Sequence, residues 1–91
     1  MKNTLKGKGM RTIIITGASG GLAQEMVKLL HHDRLILVGR SKAKLEELYG
    51  ENENLDLVEL NITDSSALER FAERIDSQYG RVDVLVNNAG Y

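Results

Sequence analysis

The sequence has no cysteine and no proline among its 91 residues, and almost no excess charge of either sign. Without cysteine, a disulfide framework and a thiolate metal site are both excluded. The two histidines, His31 and His32, stand side by side, and no other His, Cys or clustered set of carboxylates completes a ligand group around them. They are expected at the carboxyl end of a helix, where an imidazole suits the negative end of the dipole, and no metal is expected. Lys+Arg 12 against Asp+Glu 13 leaves a net charge of -1, which supplies no global field for nucleic acid or for an anionic membrane. Long apolar runs are missing too. After a basic start, only Ile13, Ile14 and Ile15 precede Thr16 as strongly apolar residues, too few for a signal-peptide core or a membrane span. The expected location is cytoplasmic, with neither nucleic acid nor membrane as a partner. A hydrophobic content of 42% in a chain of this length allows one small domain.

What the chain does have is a glycine-rich stretch, Thr16-Gly17-Ala18-Ser19-Gly20-Gly21-Leu22-Ala23, placed between the apolar run 13–15 and an amphipathic segment. The run reads as a short buried strand and the segment as a helix, so the glycines fall at a strand-to-helix turn. Glycine lacks a Cβ and admits close approach of a bulky anion. The helix that follows adds unpaired N–H groups and the positive end of its dipole, a combination suited to phosphate.

Residues 1–10, with three lysines and two glycines before Met10, are expected to form a loose leader, and order is expected from Arg11. Leu22, Ala23, Met26, Val27 and Leu30 recur at helical spacing and predict the first helix. Residues 34–38 form a continuous apolar run of strand length that ends at Gly39-Arg40-Ser41. Ser41 is a good N-cap for a helix over 42–49, with Leu45 and Leu48 inward and Gly50 as the stop. Residues 55–60 alternate well enough for a third strand. Asp64 then caps a helix whose stripe is Leu68, Phe71, Ala72, Ile75 and Tyr79, ended by Gly80, and residues 82–86 predict a fourth strand.

The resulting order, β-α-β-α-β-α-β with short connections, predicts an α/β fold with a parallel sheet, right-handed crossovers and helices on both faces. The expected strand order is 3-2-1-4. In such a sheet a crevice opens at the carboxyl ends of the strands where the order reverses. Residues 17–22, Gly39-Arg40, Asn61-Ile62 and residues 87–90 all follow strands, so four separated stretches converge on one cleft.

On these residues the chain resembles the amino-terminal half of a short-chain dehydrogenase/reductase, over residues 11–91. The family's Thr-Gly-x-x-x-Gly-x-Gly stands here as Thr16, Gly17, Gly21 and Ala23, with alanine in place of the third glycine. Its Asn-Asn-Ala-Gly stands at 87–90, and residues 60–64 resemble the loop that borders adenine. The resemblance implies a Rossmann-type half-domain in which Gly17, Ser19, Gly20, Gly21 and Leu22 wrap the pyrophosphate and nearby ribose, Ser19 as a hydroxyl donor. It further implies that Asn61 and Ile62 frame the adenine and that Asn87, Ala89 and Gly90 line the cleft beside the nicotinamide-side ribose. Many members carry an acid at the end of strand 2 that excludes a 2′-phosphate. This chain has Gly39 there and then Arg40, whose planar fork of donors suits that phosphate, so the expected cofactor is NADP in preference to NAD.

The resemblance also implies a catalytic Ser and a Tyr-x-x-x-Lys pair, with a carbonyl or alcohol as the substrate of the complete family member. Tyr49 is followed four residues later by Glu53, Tyr79 by Asp83, and Tyr91 is the final residue. No catalytic residue is therefore assigned within these 91 residues, and the chain reads as the cofactor-binding half of an oxidoreductase, supplied as a fragment or a truncated product. A stand-alone nucleotide-binding module and an S-adenosylmethionine-binding methyltransferase-like fold are the alternatives, the second opposed by Gly39-Arg40. The apolar fourth strand, expected in the middle of a larger sheet, predicts self-association through its open edge.

Overall fold

A computed structural model of the chain describes residues 10–88. The expected leader thus lies outside the described residues apart from Met10, as do Ala89, Gly90 and Tyr91. The elements follow in the order β1 (Thr12–Thr16), α1 (Gly21–Leu29), β2 (Arg34–Gly39), α2 (Lys42–Tyr49), β3 (Leu55–Glu59), α3 (Ser65–Tyr79) and β4 (Val84–Val86). The four strands form one parallel sheet in the order β3-β2-β1-β4, which is the expected arrangement.

Strand periodicity divides the apolar side chains between two faces. Ile13, Ile15, Leu35 and Leu37 point to one side and pack with Ala23, Met26, Val27 and Leu30 around α1 and with Leu45 and Tyr49 of α2. Ile14, Ile36 and Val38 point to the other and meet Leu60, Phe71, Ile75 and Tyr79 around α3. The central strands are therefore buried on both faces, which explains why their sequences read as unbroken apolar runs. Ala23 is fully buried where the helix crosses the sheet. The single methyl at the third fingerprint position is thus absorbed into the core.

The second and third helices each start at a capping side chain. Ser41 caps α2 by accepting from Lys44 N at 3.2 Å, and Asp64 caps α3 by accepting from Ala67 N at 3.1 Å. Gly50 and Gly80 terminate these helices at φ 68 and φ 82, angles that favour glycine. The carboxyl end of α3 is pinned by Tyr79, whose hydroxyl donates to Asp56 Oδ2 at 2.7 Å while Arg74 donates to the same oxygen at 2.7 Å. Burial, then the neighbouring carboxylate, pushes the Tyr79 phenol up to about 12.

Two expectations are corrected. Leu22 does not join the inward face of the first helix and is 65% exposed, while Ala23 beside it is fully buried, so the inward face of the helix begins at Ala23. The fourth strand covers only Val84–Val86. Asp83 N donates to Thr12 O at 2.8 Å, but the return partner of Thr12 N is the Asp83 side chain, at 2.8 Å, so a carboxylate replaces the backbone at the ladder's first rung. Asp83 is thereby turned toward β1 and does not serve as a guarding charge on the open edge. Val84 and Leu85 are 37% and 63% exposed among the described residues.

Asp33 does a similar job on the β2 side. Its carboxylate accepts from Arg11 N at 3.1 Å and from the Arg11 guanidinium at 3.0 and 3.3 Å. Hydrogen bonds from Arg11 hold the Asp33 carboxyl below its usual value. The Thr12 amide, then Arg81, does the same for Asp83. Both groups have lower values folded than unfolded, so their stabilisation is complete above the ordinary carboxylate range. It is lost as pH falls through the lowered folded values. Asp33→Asn should lower the thermal midpoint by about 5 °C at neutral pH. The difference from the parent should shrink as pH falls below that range, a trend that melts followed by circular dichroism would register. A constant difference down to strongly acidic pH would show that the Asp33 charge contributes nothing.

Candidate functional site

The glycine-rich turn leaves β1 with Gly17 at φ 62, in the left-handed region. Three bonds then set its path. Gly20 N donates to Gly17 O at 3.2 Å, Ala18 N donates to Val38 O at 3.0 Å, and the Tyr49 hydroxyl donates to Ala18 O. The fully buried Ala18 is thus tied to β2 through its N–H and to α2 through its carbonyl. Burial raises the Tyr49 phenol above its ordinary value, which keeps it protonated as a donor.

Helix α1 starts differently from its neighbours. Its N-cap is Gly20, with no side-chain hydrogen bond, whereas Ser41 and Asp64 cap the other two helices; none of the three has an acidic residue in its first turn. The orphan N–H groups at this terminus are left for another acceptor. A Cβ on Gly21 would meet nothing within 4 Å, and one on Gly20 would meet only Gly17 O at 3.5 Å. Packing within the chain therefore does not call for glycine at either position. Bare backbone here leaves room over a positive helix end, which fits the pyrophosphate of a dinucleotide.

Beside this turn lies a cavity of about 370 Å³, lined by Gly17, Ser19, Gly39, Arg40, Ser41, Lys44, Asn61, Ile62 and Thr63 over a floor of Val38 and Leu60. Five of the expected site residues, Gly17, Ser19, Arg40, Asn61 and Ile62, are brought together in its wall. Gly20, Gly21 and Leu22 are exposed at the start of α1 and do not line it. Asn61 shapes the rim, since its Oδ1 accepts from Thr63 N at 3.0 Å and from Thr63 Oγ1 at 2.7 Å. Ile62 is 38% exposed, an apolar surface presented to the opening.

A second cavity of about 260 Å³ shares Val38, Leu60 and Ile62 with the first and reaches Thr16 and Asn87. The cleft therefore runs along the carboxyl ends of the strands from Arg40 to Asn87. The Thr16 hydroxyl lies at 3.0 Å from Asn87 Oδ1 and accepts from Asn88 N at 3.0 Å, which fixes the start of the segment after β4. Ala89 and Gly90 fall outside the described residues.

No carboxylate lines the larger cavity, and none pairs with Arg40 among the described residues. A Cβ on Gly39 would stand 3.2 Å from Leu45 Cδ2 and 3.4 Å from Cδ1 and Cγ. Leu45 is fully buried, so a side chain at position 39 would make a tight contact with the core and require Leu45 to shift by a few tenths of an ångström. Sequence reasoning did not assign Lys44 or the Thr16 hydroxyl to the site. The signal for Lys44 was its place three residues after the cap Ser41, on the first turn of a helix that begins at the cleft.

Residues 11–91 match the short chain dehydrogenase family model. The chain belongs to the short-chain dehydrogenase family. Among curated relatives, the 3-oxoacyl-(acyl-carrier-protein) reductase FabG of Thermotoga maritima is 36% identical over 86 residues, which cover 88% of this chain and 35% of that protein. Among solved structures, a short-chain dehydrogenase from Streptomyces avermitilis superposes with a TM-score of 0.79 at 31% identity, over 91% of this chain and 31% of its own. A 3-ketoacyl-(acyl-carrier-protein) reductase from Brucella melitensis, complexed with NADH, gives 0.71 at 28% identity over 82% and 32%. The chain spans about a third of the length of the relatives it matches. Family membership brings a nicotinamide dinucleotide as the cofactor class and sets aside the methyltransferase-like alternative.

Proposed function

We propose that this chain is the NADP(H)-binding portion of a short-chain dehydrogenase, which transfers hydride between NADP(H) and a carbonyl or alcohol substrate. The nicotinamide supplies the hydride chemistry. The residues of this chain bind and orient the dinucleotide. Gly17, Ser19, Gly20, Gly21 and Leu22 hold the pyrophosphate side, Asn61 and Ile62 the adenine, and Asn87, Ala89 and Gly90 the nicotinamide-side ribose. Residues 11–91 act as the binding unit and residues 1–10 as a leader, in the cytoplasm.

One observation carries the choice of NADP(H): Arg40 lines a cavity with no carboxylate in its wall, and a side chain at the neighbouring Gly39 would crowd the buried Leu45. A guanidinium there supplies a charge-assisted pair to a 2′-phosphate. NADP(H) should therefore bind at least about tenfold more tightly than NAD(H), and Arg40→Asp should remove or invert that order. Fluorescence titration of both reduced cofactors against both proteins is the test. An unchanged preference in the variant would take Arg40 out of the site.

The chemistry is assigned elsewhere, since no tyrosine here has a lysine four residues on to lower its pKa. Purified chain given NADPH and a panel of aldehydes and ketones should show no cofactor oxidation above background. Protein-dependent turnover that survives repurification would defeat this assignment.

The proposal extends to assembly. β4 is an outer strand in the described sheet, with its own Val84 and Leu85 exposed, and an open strand edge is a template for pairing. The 91-residue chain should self-associate through it. Light scattering over a concentration series would report rising mass, and a monomer at high concentration, with β4 amides exchanging no faster than those of β1, would contradict the idea.

A further inference from the structure

Every carbonyl of the glycine turn, residues 17–20, accepts a hydrogen bond from within the chain. Gly17 O accepts from Gly20 N at 3.2 Å, Ser19 O from Gln24 Nε2 at 3.4 Å and Gly20 O from Gln24 N at 3.1 Å, so these donors belong to the turn itself or to α1. Ala18 O is the exception. Its donor is the hydroxyl of Tyr49, 31 residues further along and the last residue of α2. Gly50 ends that helix directly afterwards at φ 68, and the Tyr49 ring packs against the buried cluster that holds Ala18, Ala23 and Leu45. Packing accounts for an aromatic ring at this place. It does not call for the hydroxyl, since a phenylalanine would make the same apolar contacts with no buried polar atom to satisfy.

We propose that Tyr49 is a positioning residue of the cofactor site, holding the peptide between Ala18 and Ser19 so that the Ser19 N–H faces the pyrophosphate; this rests on the reading of the turn as the pyrophosphate site. The link is the geometry of one peptide unit. That unit is planar and, like all those described, trans, so its C=O and its N–H point in opposite directions. Ala18 is fully buried and its carbonyl is drawn to Tyr49 on the core side. The N–H of the same unit, that of Ser19, is thereby turned off the core, and Ser19 is exposed and lines the larger cavity while Tyr49 does not. The Ala18 N–H is spent on Val38 O at 3.0 Å, which leaves the Ser19 amide to act with the uncapped terminus of α1. Released from Tyr49, the same unit could rotate and set a carbonyl oxygen against the anion in place of a donor. Both dinucleotides carry the pyrophosphate, so Tyr49 contributes to the strength of binding and not to the choice between them.

The test uses the 91-residue chain and its Tyr49→Phe variant, which keeps the ring and removes only the donor. Dissociation constants for NADPH, NADH and ADP should all weaken by a common factor of about five to ten, whereas adenosine, which lacks the pyrophosphate, should bind both proteins alike. Thermal melts confirm that the variant is folded before titration. In nuclear magnetic resonance spectra of the parent, the Ser19 amide proton should move downfield when ADP is added and stay in place with adenosine. An unmoved Ser19 signal with ADP bound overturns the proposal whether or not the variant folds. If the parent binds both dinucleotides and Tyr49→Phe binds them equally well, the role of Tyr49 is overturned and the cofactor reading stands. Weakening of adenosine by the same factor as ADP also overturns it, because the loss would then lie in the shape of the whole cleft. A parent that binds neither dinucleotide nor ADP sinks the reading of the turn together with the proposal.

Discussion

Because the four strands pair in parallel, every connection must return across a face of the sheet, and all strand carboxyl ends are gathered along one side. The remaining features depend on this. Helices α1 and α2 cover one face as the chain steps from β1 outward to β3, and α3 covers the other as it crosses back to β4. The order reverses next to β1, so the turns after β1 and β4 diverge and leave a crevice between helical layers. The ladder that builds the core thereby also sets where a ligand can enter.

The two ends of the sheet are finished in opposite ways. At the amino end, backbone donors left over by the strands are satisfied internally, Arg11 N by Asp33 and Thr12 N by Asp83. At the carboxyl end, helix α1 is given neither a capping side chain nor an acidic residue in its first turn. Orphan donors cost free energy when nothing accepts from them, so water or a ligand must complete that terminus. One end is closed by design of charge, and the other is left to receive it.

Much of this was legible in the residues. The unbroken apolar runs gave away strands covered on both faces, and Ser41, Asp64, Gly50 and Gly80 marked helix limits because their side chains, or the lack of one, act within a turn. Gly17, Ser19, Arg40, Asn61 and Ile62 stand in the wall of one cavity at the carboxyl ends of the strands, where the strand order reverses. What escaped depends on contacts between distant segments. The Asp83 carboxylate takes the Thr12 amide before β4 begins, Leu22 faces solvent although its neighbour Ala23 is buried, and the tight contact between the Gly39 position and Leu45 is visible only once strand and helix are packed. Lys44 was overlooked because a lysine on a short polar helix reads as a solvated residue until the cavity beside it is seen.

Thr16 is the last residue of β1, joined by a peptide bond to Gly17, and its hydroxyl holds Asn87 and Asn88 beyond β4. The two walls of the cleft are therefore one covalent bond and one hydrogen bond apart. The spacing between them thus rests on one side-chain hydroxyl, that of Thr16, which bridges to Asn87 Oδ1 and Asn88 N.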